Sequence, residues 1–248
     1  MQIVGRAIFA VTVRTVLRGS GIGLVAAVAI PASPAFAQIV KVGTQTVAVP
    51  SSGQIVVDGQ TISVAPGATR VLLAAPPAGS TAVVDGGQTD YQLPPGATGA
   101  AFTYPSANTD AVTIPSTAVY SSPSPEPAAT PADSSPTCEV TPYTPGVNGG
   151  QATVRGTSLI SCSGENAELV EVQSQSTLYW ESIDGGGWVW QGYALSPWGF
   201  ESEDVTFLHA CTRGTTNYWK TRAGGTSIYE GIQVSYGYTG SPALLICT

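Results

Sequence analysis

The chain has 248 residues, of which 43% are hydrophobic and only 10% are charged, and its formal net charge is −7. Soluble domains carry about 25% charged residues, so the surface of this protein is poor in charge. The composition excludes a collagen, a coiled coil and a polytopic membrane protein. The negative charge argues against a nucleic-acid partner, because binding phosphates requires clustered Lys and Arg.

Residues 1–37 have the three parts of a secretory signal peptide. Three arginines without any acid come first, the apolar stretch 22–30 follows, and Ala35 and Ala37 supply small residues before the expected cleavage point. Since the apolar stretch is short for a bilayer, an uncleaved membrane anchor is the lesser alternative. We therefore predict a secreted, extracellular protein, with cell-wall association as one option and no membrane contact after cleavage.

Residues 38–104 contain no Cys or Trp and carry an internal repeat. The segments 55–64 and 82–91 share Val-Val-Asp-Gly, each is followed by Pro-Gly-Ala-Thr, and a weaker copy spans 39–50. Asp-Gly between β-branched residues predicts a hairpin with a type I′ turn, whose two central residues need positive φ. Because a single hairpin is marginal in water, the copies must stack or stay loosely ordered. The sequence predicts a stalk of hairpin repeats, or alternatively a disordered low-complexity tract.

Within this stalk, residues 60–69 read Gln-Thr-Ile-Ser-Val-Ala-Pro-Gly-Ala-Thr. They resemble the short Gly-Gln-Thr repeats of secreted, mucin-like cell-surface proteins. The resemblance implies an extracellular spacer or wall-associated segment. Residues 105–136 follow as a linker rich in Pro, Ser, Ala and Thr, and its closely spaced prolines favour an extended, disordered chain.

Residues 137–248 contain all four Cys and all five Trp and are long enough for one domain. Helix signals are nearly absent, whereas strand signals recur about every ten residues. Between 168 and 180, apolar Val170, Val172, Leu178 and Trp180 alternate with polar residues, as in a half-buried strand. We predict an antiparallel β-sandwich, immunoglobulin-like or similar.

Four cysteines in an exported chain indicate two disulfides. Three pairings are compatible with the sequence. We favour Cys162–Cys211 in the sheet core and Cys138–Cys247 joining the two ends of the domain. No Cys-x2-Cys pair exists and the chain has one His, so neither a metal site nor a cofactor is expected.

Residues 150–223 resemble a loose class of small, secreted, disulfide-containing β-sandwich proteins of actinobacteria. The resemblance is carried by Val154, 161–163, 169–172, 210–211 and 218–223. In that class a Cys before one strand pairs with a Cys just before a Tyr-x-x-Thr-x-Ala-like strand, which also implies Cys162–Cys211. An immunoglobulin-like sandwich similarly has a Trp between its paired cysteines, where this chain has Trp180. No activity follows from either resemblance.

Four aromatic residues within eleven positions are the candidate ligand-binding residues: Trp188, Trp190, Tyr193 and Trp198. Trp188 and Trp190 share one strand face if the period of two holds. If that face is buried, the rings belong to the core. If it is exposed, they form a platform for a sugar or an apolar partner.

Candidate catalytic groups are few, and we assign none. The single His209 is expected to point inward beside Phe207, and the acids at 165–171 and 201–204 are expected to be solvated. The predicted function is a non-enzymatic extracellular module that binds a polysaccharide, a cell-wall polymer or a protein. The alternatives are a secreted hydrolase that uses the acidic clusters and a purely structural cell-surface protein.

Overall fold

The computed structural model describes residues 38–85, 88–105, 113–120 and 135–248, and this part of the chain is all-β, as predicted. Up to residue 120 it contains ten strands: β1 (Gln38–Val42), β2 (Gln45–Val49), β3 (Gln54–Val57), β4 (Gln60–Ser63), β5 (Arg70–Ala74), β6 (Thr81–Asp85), β7 (Gln88–Gln92), β8 (Ala97–Thr103), β9 (Thr113–Ile114) and β10 (Ser116–Tyr120). From residue 135 it contains ten more: β11 (Thr137–Pro142), β12 (Gly146–Asn148), β13 (Thr153–Ser163), β14 (Glu171–Ser182), β15 (Val189–Leu195), β16 (Gly199–Phe200), β17 (Ser202–Ala210), β18 (Thr216–Tyr229), β19 (Ile232–Thr239) and β20 (Ala243–Ile246). One short 3₁₀ turn, Ala167–Leu169, connects β13 to β14.

Two large sheets and one separate hairpin contain these strands. The first sheet runs β15-β14-β18-β19-β5-β1-β2, with β6, β7, β9, β16 and β20 paired at its margins. The second runs β10-β8-β11-β13-β12, and β17 pairs with β13. One apolar core joins Phe102 and Ile160 of the second sheet to Val172 and Val234 of the first. The arrangement is that of a β-sandwich.

The hairpin β3–β4 has the turn that the sequence predicts. Asp58 and Gly59 form its two-residue loop with φ of 48° and 79°, the positive values that a type I′ turn needs. In β6–β7, by contrast, Asp85 still belongs to the strand and pairs with Gln88. Residues 86–87 lie outside the described part of the chain.

The hairpins of the first half do not form a separate stalk. Strand β5 pairs in parallel with β19 through Arg70 and Ile232, and β8 pairs antiparallel with β11 through Phe102 and Cys138. An isolated hairpin leaves both of its edges unpaired, and these pairings give β5 and β8 neighbours from the second half of the chain. Apart from the hairpin β3–β4, the described strands up to residue 120 therefore share the two sheets with the segment predicted as an independent domain.

The predicted linker 105–136 also differs from the structure where it is described. Strands β9 and β10 lie inside it, and β10 pairs with β8 from Ser116 to Tyr120. The remainder, 106–112 and 121–134, and the predicted signal peptide 1–37 lie outside the described residues.

The hairpin β3–β4 covers part of the first sheet as an outer layer. A second apolar cluster joins its residues Val57 and Ile62 to Val40 and Val71 of the sheet. Gln233 of β19 is fully buried beneath this layer, where its Oε1 accepts the Ala65 N–H at 2.8 Å and its Nε2 donates to the Ser63 carbonyl at 2.8 Å. The rest of the outer surface of the first sheet, at β14 and β15, forms the site described below.

Two disulfides are present, but the predicted pairing was wrong. Cys138 is bonded to Cys162, which lies directly opposite on the neighbouring strand β13. Cys211, after β17, is bonded to Cys247, after β20. The prediction failed because it assumed that one bridge crosses the core and the other joins the chain ends, whereas the bonding partners are set by which strands are neighbours. Among the described residues, no helix is long and apolar enough to cross a membrane.

Candidate functional site

Strand β14 alternates between two environments, as the sequence predicts, and this alternation positions the site. Its even-numbered residues face the second sheet: Ser174 Oγ lies 2.9 Å from Ser158 Oγ across the sandwich, and buried Leu178 packs with Val154. Its odd-numbered residues therefore face outward. Residues of β15 paired with those positions share the outer face, because directly opposite residues of an antiparallel pair point the same way.

A β-bulge places two aromatic residues on this outer face. Trp190 pairs with Tyr179 and Tyr193 pairs with Thr177, and the register shift between them leaves Gln191 as the extra residue of β15. Trp190 and Tyr193 consequently lie on the same face although they are three positions apart. Their ring centroids are 6.5 Å apart, with planes inclined by 41°.

Gly192 makes the bulge possible. It has a φ of 131°, which L side chains rarely adopt, and it faces the second sheet, where a Cβ would lie 2.6 Å from the ring of Phe207. Phe207 therefore occupies the space beneath the bulge, and the outward rings are supported from the inside of the sandwich.

Trp188 reaches the same outer face from the loop that precedes β15. Its ring covers Lys220, whose Nζ lies 4.2 Å from the Trp188 ring centroid and 5.6 Å from that of Tyr179. The Lys220 side chain is almost fully buried, so its charge is held beneath aromatic rings rather than offered to solvent. The Gly187 N–H donates to Glu181 Oε1 at 3.1 Å and holds the loop in this position.

The aromatic face, which we define as Trp188, Trp190 and Tyr193, is open to solvent. Trp190 is 55% exposed, Tyr193 is 51% exposed and Trp188 is half-buried. The prediction that Trp188 and Trp190 share one face of a strand was wrong in detail. Strand β15 begins at residue 189, so Trp188 lies in the loop before it. Of the two options left open by the sequence, core or exposed platform, the structure shows the exposed one for these rings.

Exposed apolar residues continue along the same edge of the first sheet. Leu195 pairs with outward-facing Gln175 and is 49% exposed, and Phe200 pairs with Glu171 and is 60% exposed. Trp198, the fourth predicted residue, lies in the connection between β15 and β16 and is 42% exposed. Contiguous exposed apolar surface is typical of interaction sites, so these residues extend the candidate binding surface.

The predicted acidic clusters do not converge. Glu165, Glu168 and Glu171 are exposed, while Glu203 and Asp204 are adjacent in β17 and so point to opposite faces. Among the described residues, no group of three or more His, Cys, Asp or Glu is arranged to hold a metal ion.

A cleft opens at one end of the sandwich, between the sheets. We call it the end cleft; its volume is about 610 Å³ and its lining includes Trp180, Gln191, His209, Asn217 and Trp219. His209 points inward on β17, as predicted, with its ring 5.9 Å from that of Trp219. Sequence reasoning missed this cleft because Trp180 and Trp219 are 39 positions apart in sequence and become neighbours only through the β14–β18 register.

Comparisons with known proteins identify no relative. No protein-family model matches the chain, and neither the curated proteins nor the solved structures contain a significant match. The aromatic face and the end cleft are therefore the features from which a function can be inferred.

Proposed function

We propose that this protein is an extracellular, non-enzymatic module that binds a neutral polysaccharide on its aromatic face. The observation that carries the proposal is the exposed pair Trp190 and Tyr193, held side by side on the outermost strand of the first sheet. Flat aromatic rings pack against the C–H faces of sugar rings, and two adjacent rings contact neighbouring units of one chain. Tyr and Trp supply such contact area at low entropic cost.

The surroundings favour a neutral polymer. Lys220 lies buried beneath Trp188 and Arg222 forms an ion pair with Asp90, so neither cation is presented to an anionic ligand. Gln175, next to the rings on β14, offers an amide for hydroxyl groups. The predicted signal peptide and the two disulfides support the extracellular setting.

The test is affinity electrophoresis of the purified protein in gels that contain soluble glucan, mannan or glycol chitin. We expect retardation by at least one polymer. The double variant Trp190→Ala/Tyr193→Ala should weaken that binding about tenfold or more, because exposed Trp and Tyr anchors dominate such interfaces. The matched control is Leu208→Ala, which removes an exposed apolar side chain from β17 of the other sheet.

Two results would contradict the proposal. One is the absence of retardation in every polymer. The other is equal retardation of the wild-type protein and the double variant, provided that their far-UV circular dichroism spectra agree.

A further inference from the structure

We propose that the end cleft is a second binding site, separate from the aromatic face, which accepts one ring of a neutral saccharide. Its volume of about 610 Å³ lies within the range of about 300–1,000 Å³ that small-molecule sites occupy. It opens between the sheets, whereas the aromatic face lies on the outside of the first sheet, so the two sites are on opposite sides of β14 and β15.

Aromatic rings form the apolar part of the cleft. Trp180 and Trp219 lie directly opposite each other on β14 and β18 and both line it. His209 belongs to the other sheet, and its ring is inclined by 46° to that of Trp219. A pyranose ring has apolar C–H faces, which suit contact with the aromatic surface that lines the cleft.

Polar groups surround these rings. The cleft is also lined by Gln191, Asn217, Thr215 and Thr216, whose side chains carry amide and hydroxyl groups. Amides and hydroxyls both donate and accept hydrogen bonds, which is the capacity needed to bind sugar hydroxyl groups. Gln191 contributes to the cleft because it is the extra residue of the β-bulge, while its neighbour Trp190 faces outward.

The charged residues that line the cleft favour a neutral ligand. None of the described lining residues is Lys or Arg, and the one carboxylate is Asp184. A phosphate or a uronic acid would therefore find no Lys or Arg in the cleft and would be repelled by Asp184.

The walls of the cleft are linked covalently. The Cys211–Cys247 disulfide joins the end of β17 in the second sheet to the residue after β20 in the first, and Cys211 itself lines the cleft. A site whose walls are held in place loses less entropy on binding than a mobile one. The disulfide thus limits how far the two sheets can move apart at the end cleft.

The experiment uses the full chain and three neutral probes: methyl β-glucopyranoside, methyl α-mannopyranoside and N-acetylglucosamine. Saturation-transfer NMR detects binding, and a tryptophan-fluorescence titration measures the Kd. We expect at least one probe to bind with a Kd on the order of 1 mM. His209→Ala and Gln191→Ala should each weaken that binding about fivefold or more, since each removes a contact of the cleft.

The control is Leu208→Ala, at an exposed position of β17 outside both proposed sites, which should leave the monosaccharide Kd unchanged. If His209→Ala fails to fold, Asn217→Ala replaces it. The inference is overturned if no probe binds at about 50 mM, well above the Kd of a weak site, or if the cleft variants bind with wild-type affinity. A different result would contradict the polysaccharide proposal. In that case the protein would not bind any polymer, or the loss of Trp190 and Tyr193 would not weaken polymer binding.

Discussion

At the scale of single residues, the ion pair between Arg222 and Asp90 connects the two halves of the chain. Arg222 Nε lies 2.7 Å from Asp90 Oδ1, and the side chains are only 14% and 7% exposed. The Nε–H is not aligned with an acceptor, so the contact at this atom is an ion pair without a hydrogen bond. The guanidinium lies across Gly224 and Gly237, where any Cβ would collide with it.

We expect Asp90→Asn to lower the free energy of unfolding by about 3 kcal/mol, because a buried charge loses its partner. Urea denaturation measures the change. Asp58→Asn is the control, since that residue is exposed in a turn whose positive φ Asn tolerates equally well. The double variant Asp90→Asn/Arg222→Met should recover part of the loss. A loss for Asp90→Asn no larger than that for Asp58→Asn would exclude a role of the pair in stability.

Buried tyrosines make the fold sensitive to alkaline pH. Burial raises the pKa of Tyr104, Tyr236 and Tyr238 above the ordinary value of 10. Both the folded and the unfolded protein hold these protons below pH 10. Above it the unfolded chain loses them first, so the free energy of unfolding falls as the pH rises from 10 toward the higher folded-state pKa values.

Each of these tyrosines should contribute a slope of about 1.4 kcal/mol per pH unit in that range. Denaturation between pH 8 and 11 would show a plateau followed by a decline. Tyr236→Phe should make the decline shallower, whereas Tyr120→Phe, at a 54% exposed position, should not change it. A stability that is constant from pH 9 to 11 would contradict the burial argument.

At the scale of elements, the bulge in β15 decides whether the aromatic face exists. Gly192→Ala would place a methyl group against the Phe207 ring in a backbone conformation that Ala rarely adopts. We expect a loss of about 1–3 kcal/mol in the free energy of unfolding and weaker polysaccharide binding, because Trp190 and Tyr193 would lose their common orientation. Circular dichroism melting and affinity electrophoresis measure the two effects.

The comparison for this variant is Gly149→Ala, in an exposed loop where a Cβ would contact nothing. It should retain both stability and binding. If Gly192→Ala behaves in the same way, the bulge does not support the face.

Structural features that depend on residues close in sequence could be predicted from the sequence. Features that depend on contacts between distant residues could not. The turn at Asp58 and Gly59, the alternation of β14 and the inward side of His209 are all local patterns. The bulge at Gln191 has no such pattern, and one extra residue is enough to reverse the face on which Tyr193 lies. The disulfide partners and the end cleft depend on strand order, which single-chain periodicity does not encode.

At the scale of the whole molecule, the pairing of the two halves means that neither should fold alone. Strand β19 lies between β18 and β5, and β11 lies between β13 and β8. If residues 38–120 are removed, β19 therefore loses its neighbour β5 and β11 loses its neighbour β8. Buried residues such as Val234 and Val140 would then be uncovered, because the core also contains Leu72 and Phe102 of the first half. Newly exposed edges and apolar surface of this kind favour aggregation.

We therefore expect a fragment of residues 135–248 to show no cooperative thermal transition in near-UV circular dichroism, whereas the chain from residue 38 should unfold in one step. Both the fragment and the longer chain must be oxidised, so that each contains the Cys138–Cys162 and Cys211–Cys247 disulfides. A difference in unfolding then cannot result from a missing disulfide. Adding a separate 38–120 segment should restore part of the transition, since the pairings of β19 with β5 and of β11 with β8 require no covalent link. A fragment that melts cooperatively within a few degrees of the longer chain would show that 135–248 is an independent domain after all, and that the shared sheets add little to its stability.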